Sequence, residues 1–155
     1  MKVLMICSGN TCRSPMAAAI LARLAAESGG EATVQVRSAG TGAAEGAPAA
    51  EEAERVAERH GLSLAGHRTQ PLTRELLDWA DHVLVMEGYH RRAVERMGAA
   101  EKVTLLSEYG GTGRDVRDPI GCGEDAYEET FAALETYLAA FLGTEARPKG
   151  GQRSR

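Results

Sequence analysis

Aromatic side chains are scarce. Two Phe, one Trp and four Tyr make up 5% of the 155 residues, too few to line a stacking platform for single-stranded nucleic acid. Basic charge is short as well, with 18 Lys and Arg against 22 Asp and Glu and a net charge of −4. Arg147, Lys149, Arg153 and Arg155 outweigh Glu145 in the last twelve residues, so residues 1–143 carry −7. An acidic body argues against a broad nucleic-acid surface. Three cysteines are too few for a disulfide scaffold, and the odd number leaves at least one free or shared. No segment approaches the ~18 apolar residues of a membrane span, and the five-residue run in MKVLMICSGN is too short for a signal-peptide core. These absences point to the cytoplasm, where thiols stay reduced, and away from nucleic acid and membrane as partners.

What is present is ordinary for a folded protein: 43% hydrophobic and 26% charged residues, which excludes disorder as the main state. The length is that of one domain. We expect it to end near Gly143, with residues 144–155 as a basic, frayed tail that holds Pro148, Gly150 and Gly151.

Val3–Cys7 is wholly apolar and reads as a strand buried on both faces. Thr33–Arg37 alternates and reads as a second strand; His82–Met86 and Val103–Leu106 read as a third and fourth. Ser14-Pro15 has the form of a helix start, Ser as N-cap and Pro at the first helical position, and Met16, Ile20 and Leu24 follow at helical spacing. Further helices are expected over Ala49–His60, Thr73–Trp79 and Tyr89–Met97. In a final helix, Tyr127, Phe131, Leu134, Leu138 and Phe141 form one stripe that Gly143 follows. Strands alternating with helices imply a four-stranded parallel α/β sheet with helices on both sides. Ligands bind such sheets beyond the carboxyl ends of the strands, so the loop after the first strand is the first place to look.

That loop is Cys7-Ser8-Gly9-Asn10-Thr11-Cys12-Arg13-Ser14. It runs from a strand end into a helix N-terminus, where backbone N–H groups and the helix dipole favour an anion. Gly9 admits backbone conformations closed to other residues and Asn10 tolerates a left-handed one. A loop curled in this way forms a nest for a tetrahedral oxyanion, and the Arg13 fork matches two phosphate oxygens. A cysteine at the base of such a cup, facing a helix N-terminus and an arginine, has its pKa lowered and is ready to attack phosphorus. Ser8 and Ser14 can hydrogen-bond around it, and Asn10 can tie the loop to Ser38. Each residue alone has a plainer reading: a core cysteine, a surface arginine. The combined spacing favours the oxyanion site. The run lacks the Gly-Lys of a Walker loop and the two-residue gap of a redox C-x-x-C. His60, His67, His82 and His90 show no metal-ligand spacing with the cysteines, and neither metal nor other cofactor is expected.

A nucleophile on phosphorus also needs an acid for the leaving group. The glycine-rich stretch from Gly110 to Gly123 and the helix start after it offer Asp115, Asp118, Glu124 and Asp125. Asp118-Pro119 stands out because proline stiffens the chain beside the carboxylate, although the same dipeptide also marks an ordinary turn.

Cys7 through Pro15, Ser38-Ala39-Gly40, Gly66-His67-Arg68 and Asp118-Pro119 together resemble the low-molecular-weight protein phosphatases, in an order that spans the chain to Gly143. The resemblance implies a three-layer αβα, flavodoxin-like architecture. It implies Cys7 as nucleophile, Arg13 as transition-state clamp, Asp118 as general acid and residues 8–14 as the phosphate cradle. Asn10, Ser14, Ser38 and His67 would form the network that shapes the loop, and Cys12 would be a second cysteine able to form a protective disulfide with Cys7. Phosphorylated proteins would be the substrates and a monomer or weak dimer the working form.

Two positions depart from the tyrosine-phosphatase pattern. Thr11 stands where that pattern has an apolar branched residue, and Ile120-Gly121 stand where it often has two aromatics. Thr11 resembles the bacterial branch that removes phosphate from arginine, although that branch often has Phe where Ile120 stands. The expectation is therefore a protein-arginine phosphatase, with phosphotyrosine as the alternative. An arsenate reductase would need further relay cysteines, and the chain has none between Cys12 and Cys122. A phosphocysteine carrier has little use for Arg13 together with Asp118.

Overall fold

The computed structural model describes residues 1–29 and 33–145. The order of elements is β1 (Lys2–Cys7), α1 (Arg13–Glu27), β2 (Gln35–Gly40), α2 (Glu51–Arg59), α3 (Arg74–Trp79), β3 (His82–Val85), α4 (Gly88–Arg96), β4 (Val103–Leu105), a 3₁₀ turn (Leu106–Gly110) and α5 (Glu124–Glu145). The sheet is parallel, in the order β2-β1-β3-β4. β1 therefore lies inside the sheet, which is why its five residues from Val3 to Cys7 are all buried. Alternate residues serve the two faces. Val3, Met5 and Cys7 pack with residues of α1, α2 and α5, including Met16, Val56, Phe131 and Phe141. Leu4 and Ile6 pack with Leu77 of α3 and Val94 of α4. Each such large side chain removed from water stabilises the fold by roughly 1.5–3 kcal/mol. The three-layer αβα architecture and the parallel sheet agree with the sequence reading.

The chain leaves β1 for β2 on one side, and β3 lies on the other. The strand order thus reverses at β1, and its carboxyl end opens into the crevice that such a reversal creates. Cys7 is the last residue of that strand.

Several boundaries differ from the sequence reading. The second strand is Gln35–Gly40 rather than Thr33–Arg37, with register from Lys2↔Gln35 to Cys7↔Gly40. Its inner half, Ser38-Ala39-Gly40, is buried although Ser and Gly are poor strand formers; contact with the loop after β1 outweighs propensity. α1 starts at Arg13 with Cys12 at the N-cap and no side-chain cap. Ser14 is not the cap, because its hydroxyl is turned toward Cys7 and Asn10. α5 continues through Gly143 to Glu145, so that glycine does not end the helix; Thr144 and Glu145 of the expected tail 144–155 are helical, and the remainder of that tail lies outside the described residues.

Gly40 is packed too tightly for a side chain. A Cβ there would stand 2.3 Å from the Ser8 carbonyl oxygen and 3.0 Å from the Asn10 nitrogen. Gly40→Ala is expected to destabilise the protein by about 1–3 kcal/mol in urea unfolding. Gly66→Ala, where a Cβ meets nothing within 4 Å, should change it by less than about 0.5 kcal/mol.

Candidate active site

The loop from β1 to α1 is organised around Asn10. Among the described residues it is the one non-glycine with a left-handed backbone, φ 57°, and it is fully buried. Its side-chain amide donates to Ser14 Oγ at 2.8 Å and to Ser38 Oγ at 3.0 Å. Its Oδ1 accepts from the Gln70 amide at 3.0 Å, and its carbonyl accepts from His67 Nε2 at 2.7 Å. His67 is held below the ordinary histidine range by burial, the main cause, with Arg68 adding to it and the Asn10 carbonyl opposing. A neutral ring protonated at Nε2 makes this bond. The structure thus brings together Asn10, Ser14, Ser38 and His67, and adds Gln70, which the sequence reading missed. Gly9 has no special backbone, and a methyl group on it would meet only Thr11 Oγ1 at 3.6 Å; the left-handed demand falls on Asn10 instead.

Cys7 Sγ is buried, 2.9 Å from Ser14 Oγ. Because Ser14 Oγ already accepts from Asn10, its proton is available to the sulfur. Cys12 is also buried, its sulfur 3.5 Å from both Thr11 Oγ1 and Tyr127 Oη. Burial pushes the Cys12 thiol up; the bonds to Thr11 and Tyr127 oppose that, and Asp118 and Cys7 add to it. Cys7, Cys12 and Cys122 are all free, and Cys122 is exposed.

Arg13 is 2% exposed. Its Nη1 donates to Glu87 Oε2 at 2.9 Å and to the Val116 carbonyl at 2.7 Å. Its Nη2 lies 3.4 Å from Ser8 Oγ and 3.9 Å from Asp118 Oδ2. Burial works against the charge, but the Glu87 bond, Cys7 and Asp118 outweigh it and hold the guanidinium above its ordinary range. Asp118 is 44% exposed, and its Oδ1 accepts from the Ile120 amide at 3.1 Å. That turn leaves Oδ2 directed at Arg13. Of the four candidate acids, Asp118 lies beside Arg13, while Asp115 Oδ1 accepts from the Gly88 amide at the start of α4 at 2.9 Å. Glu124 is instead engaged by Arg55 and Arg59 on α2.

Glu87, Tyr89 and His90 also belong to the site, and the sequence reading passed over them. They follow the carboxyl end of β3, beside that of β1, so the rule that singled out the first loop singles out this one as well. The Glu87 amide donates to His90 Nδ1 at 3.1 Å. Nε2 therefore carries the proton and donates to Ser8 Oγ at 2.9 Å. Burial, then the Arg13 charge, lower the His90 pKa to about 4.

A strand-end cysteine, a buried arginine and a carboxylate directed at it stand together around the loop, an arrangement able to receive a tetrahedral oxyanion. The family model described as low molecular weight phosphotyrosine protein phosphatase matches residues 2–150. The chain belongs to that family. It is a phosphatase, and the family's substrates are phosphorylated proteins. It is similar to the protein-arginine-phosphatase of Geobacillus stearothermophilus, 41% identical over 93% of this chain and 97% of the relative. The enzyme of the same name from Bacillus subtilis is 39% identical over 89% and 92%. A solved structure of YwlE arginine phosphatase, a mutant with a phosphorylated active-site serine in place of cysteine, matches with TM-score 0.90 and 35% identity over 96% of this chain and 98% of that one. Among the described residues of this phosphatase, no helix is long and apolar enough to cross a membrane.

The lowered pKa of His90 sets a pH dependence. The unfolded chain binds this proton below about pH 6.5 and the folded phosphatase only below about 4. His90 therefore contributes stability that is present above 6.5 and lost as pH falls toward 4. In urea unfolding at pH 7, 5.5 and 4.5, the fall in stability should be smaller in His90→Gln than in wild type.

Proposed function

We propose that this phosphatase removes phosphate from arginine side chains of proteins through a phosphocysteine on Cys7. Thr11 in the loop carries the substrate reading. A hydroxyl at this position suits a polar guanidinium better than a phenyl ring, and relatives named protein-arginine-phosphatase that match nearly end to end support it.

In the first step the Cys7 thiolate attacks phosphorus in line: an S–P bond forms and the P–N bond breaks. The Ser14 hydroxyl and the loop amides of residues 8–13 stabilise the thiolate and then the equatorial oxygens. Arg13, already oriented by Glu87 and Val116, grips those oxygens with the rest of its fork. Asp118 protonates the departing nitrogen, which leaves as arginine. In the second step ionised Asp118 takes a proton from water, whose oxygen attacks phosphorus. The S–P bond breaks, inorganic phosphate leaves, and the thiolate returns with Asp118 protonated again. Cys12, behind the loop against Tyr127, takes no part in this cycle; its role would be to protect Cys7 as a disulfide partner. The nucleophile works only as a free sulfur, which a reducing, cytoplasmic setting would preserve.

The deciding experiment compares rates on phosphoarginine and phosphotyrosine peptides. Phosphoarginine should be preferred; a preference for phosphotyrosine contradicts the reading. Thr11→Ile should move the ratio toward phosphotyrosine by about ten- to two-hundred-fold. Cys7→Ser and Arg13→Ala should nearly abolish turnover. Asp118→Ala should lower kcat by on the order of 10²- to 10⁴-fold. A silent Asp118→Ala would place the acid elsewhere.

A further inference from the structure

Most large apolar side chains of the described residues are buried. The exposed ones are Tyr89, at 43%, and Ile120, at 57%, and both stand at the mouth of the cup. Ile120 gives its amide to the Asp118 carboxylate. The Tyr89 hydroxyl contacts Ser8 Oγ, and its ring leans on the His90 ring, centroids 4.1 Å apart and 48° between planes.

The directions of these bonds fix what Tyr89 does at Ser8. Ser8 Oγ accepts from His90 Nε2 and from Arg13 Nη2, which fills both lone pairs. Its own proton is left for the Tyr89 oxygen. The ring is thus anchored at its hydroxyl end and along one face while part of it stays open to solvent. Arg13 Nη2 is 3.4 Å from Ser8 Oγ and 3.9 Å from Asp118 Oδ2, so Tyr89, through Ser8, and Asp118 both neighbour the same guanidinium nitrogen. The acid must face the departing atom. A side chain attached to that atom would leave the cup beside the exposed Tyr89 and Ile120.

We infer that Tyr89 is a specificity-determining residue, the aromatic wall of the leaving-group passage, whose open face packs against the flat guanidinium of a phosphoarginine side chain. This rests on the phosphoarginine reading above. Asp118-Pro119 is followed here by Ile120, which has no π-face, so the ring for stacking comes from α4. A guanidinium over a tyrosine face is attracted by the ring quadrupole, and its delocalised plane matches that face.

The test is steady-state kinetics of Tyr89→Leu and Tyr89→Phe on a phosphoarginine peptide, with inorganic phosphate as a competitive inhibitor that fills the cup and not the passage. Tyr89→Leu should lower kcat/KM by about 3- to 30-fold, mostly through KM, with Ki for phosphate unchanged. Tyr89→Phe, which keeps the ring, should retain most of the wild-type value. Wild-type kcat/KM in Tyr89→Leu overturns the inference. So does a parallel loss of substrate and phosphate affinity, which would mean that the ring only props the cup. Wild-type enzyme inactive on phosphoarginine but active on phosphotyrosine overturns the substrate reading and the guanidinium with it. The same variants on the phosphotyrosine peptide then decide the wall on its own.

Discussion

The left-handed turn at Asn10 is the constraint on which the site depends. A non-glycine residue held there is costly, and the cost is met by the four hydrogen bonds that the residue makes with Ser14, Ser38, His67 and Gln70. Those bonds reach three parts of the chain: the first turn of α1, the buried end of β2, and the segment that follows α2. One small buried side chain therefore couples the sheet edge to the loop and settles which way the Ser14 hydroxyl donates. With that proton directed at Cys7, the proposed nucleophile sits in a prepared environment rather than one assembled on substrate arrival. The tight packing of Gly40 against Ser8 and Asn10 belongs to the same arrangement.

Charge is arranged around this frame with equal economy. Arg13 is a buried cation, and a buried cation without partners is strongly unfavourable. Glu87, the Val116 carbonyl and Asp118 surround it, while His90 beside it is held neutral. Neutral His90 places no like charge against Arg13, yet still donates to Ser8. The loop that carries Asp118 is pinned at its start, where Val116 gives its amide to Met86 and its carbonyl to Arg13. Asp118 and Arg13, the proposed acid and clamp, are thereby held to one another by the protein before any substrate binds.

Much of this was legible in the sequence because strong local signals agreed with the global fold. The apolar run Val3–Cys7, the alternation of strands with helices, and the loop Cys7–Ser14 located the sheet, its topology and the cup. Ser38 was reached from its place just after the expected second strand, whereas His67 was found through the family resemblance, since nothing local marks it. The start of α1 was misplaced because Ser14-Pro15 imitates a cap, whereas the hydroxyl is drawn away by Asn10 and Cys7. The second strand was shifted because the buried half of β2 is Ser-Ala-Gly, and tertiary contact decides its conformation. α5 outran Gly143 because one glycine costs a helix only about 1 kcal/mol. Glu87, Tyr89 and His90 escaped notice because their significance comes from β3 ending beside β1, a spatial relation that spacing along the chain does not display.

The account stands on Cys7 accepting the phosphoryl group covalently inside this cup. Stopping turnover of a phosphorylated peptide within milliseconds, under alkaline denaturing conditions that preserve an S–P bond, and mapping the modified residue by mass spectrometry tests that directly. The account predicts a single added phosphoryl group on Cys7 that appears and decays with turnover. Turnover with no phosphoenzyme, or with the phosphoryl group on a different residue, would contradict it.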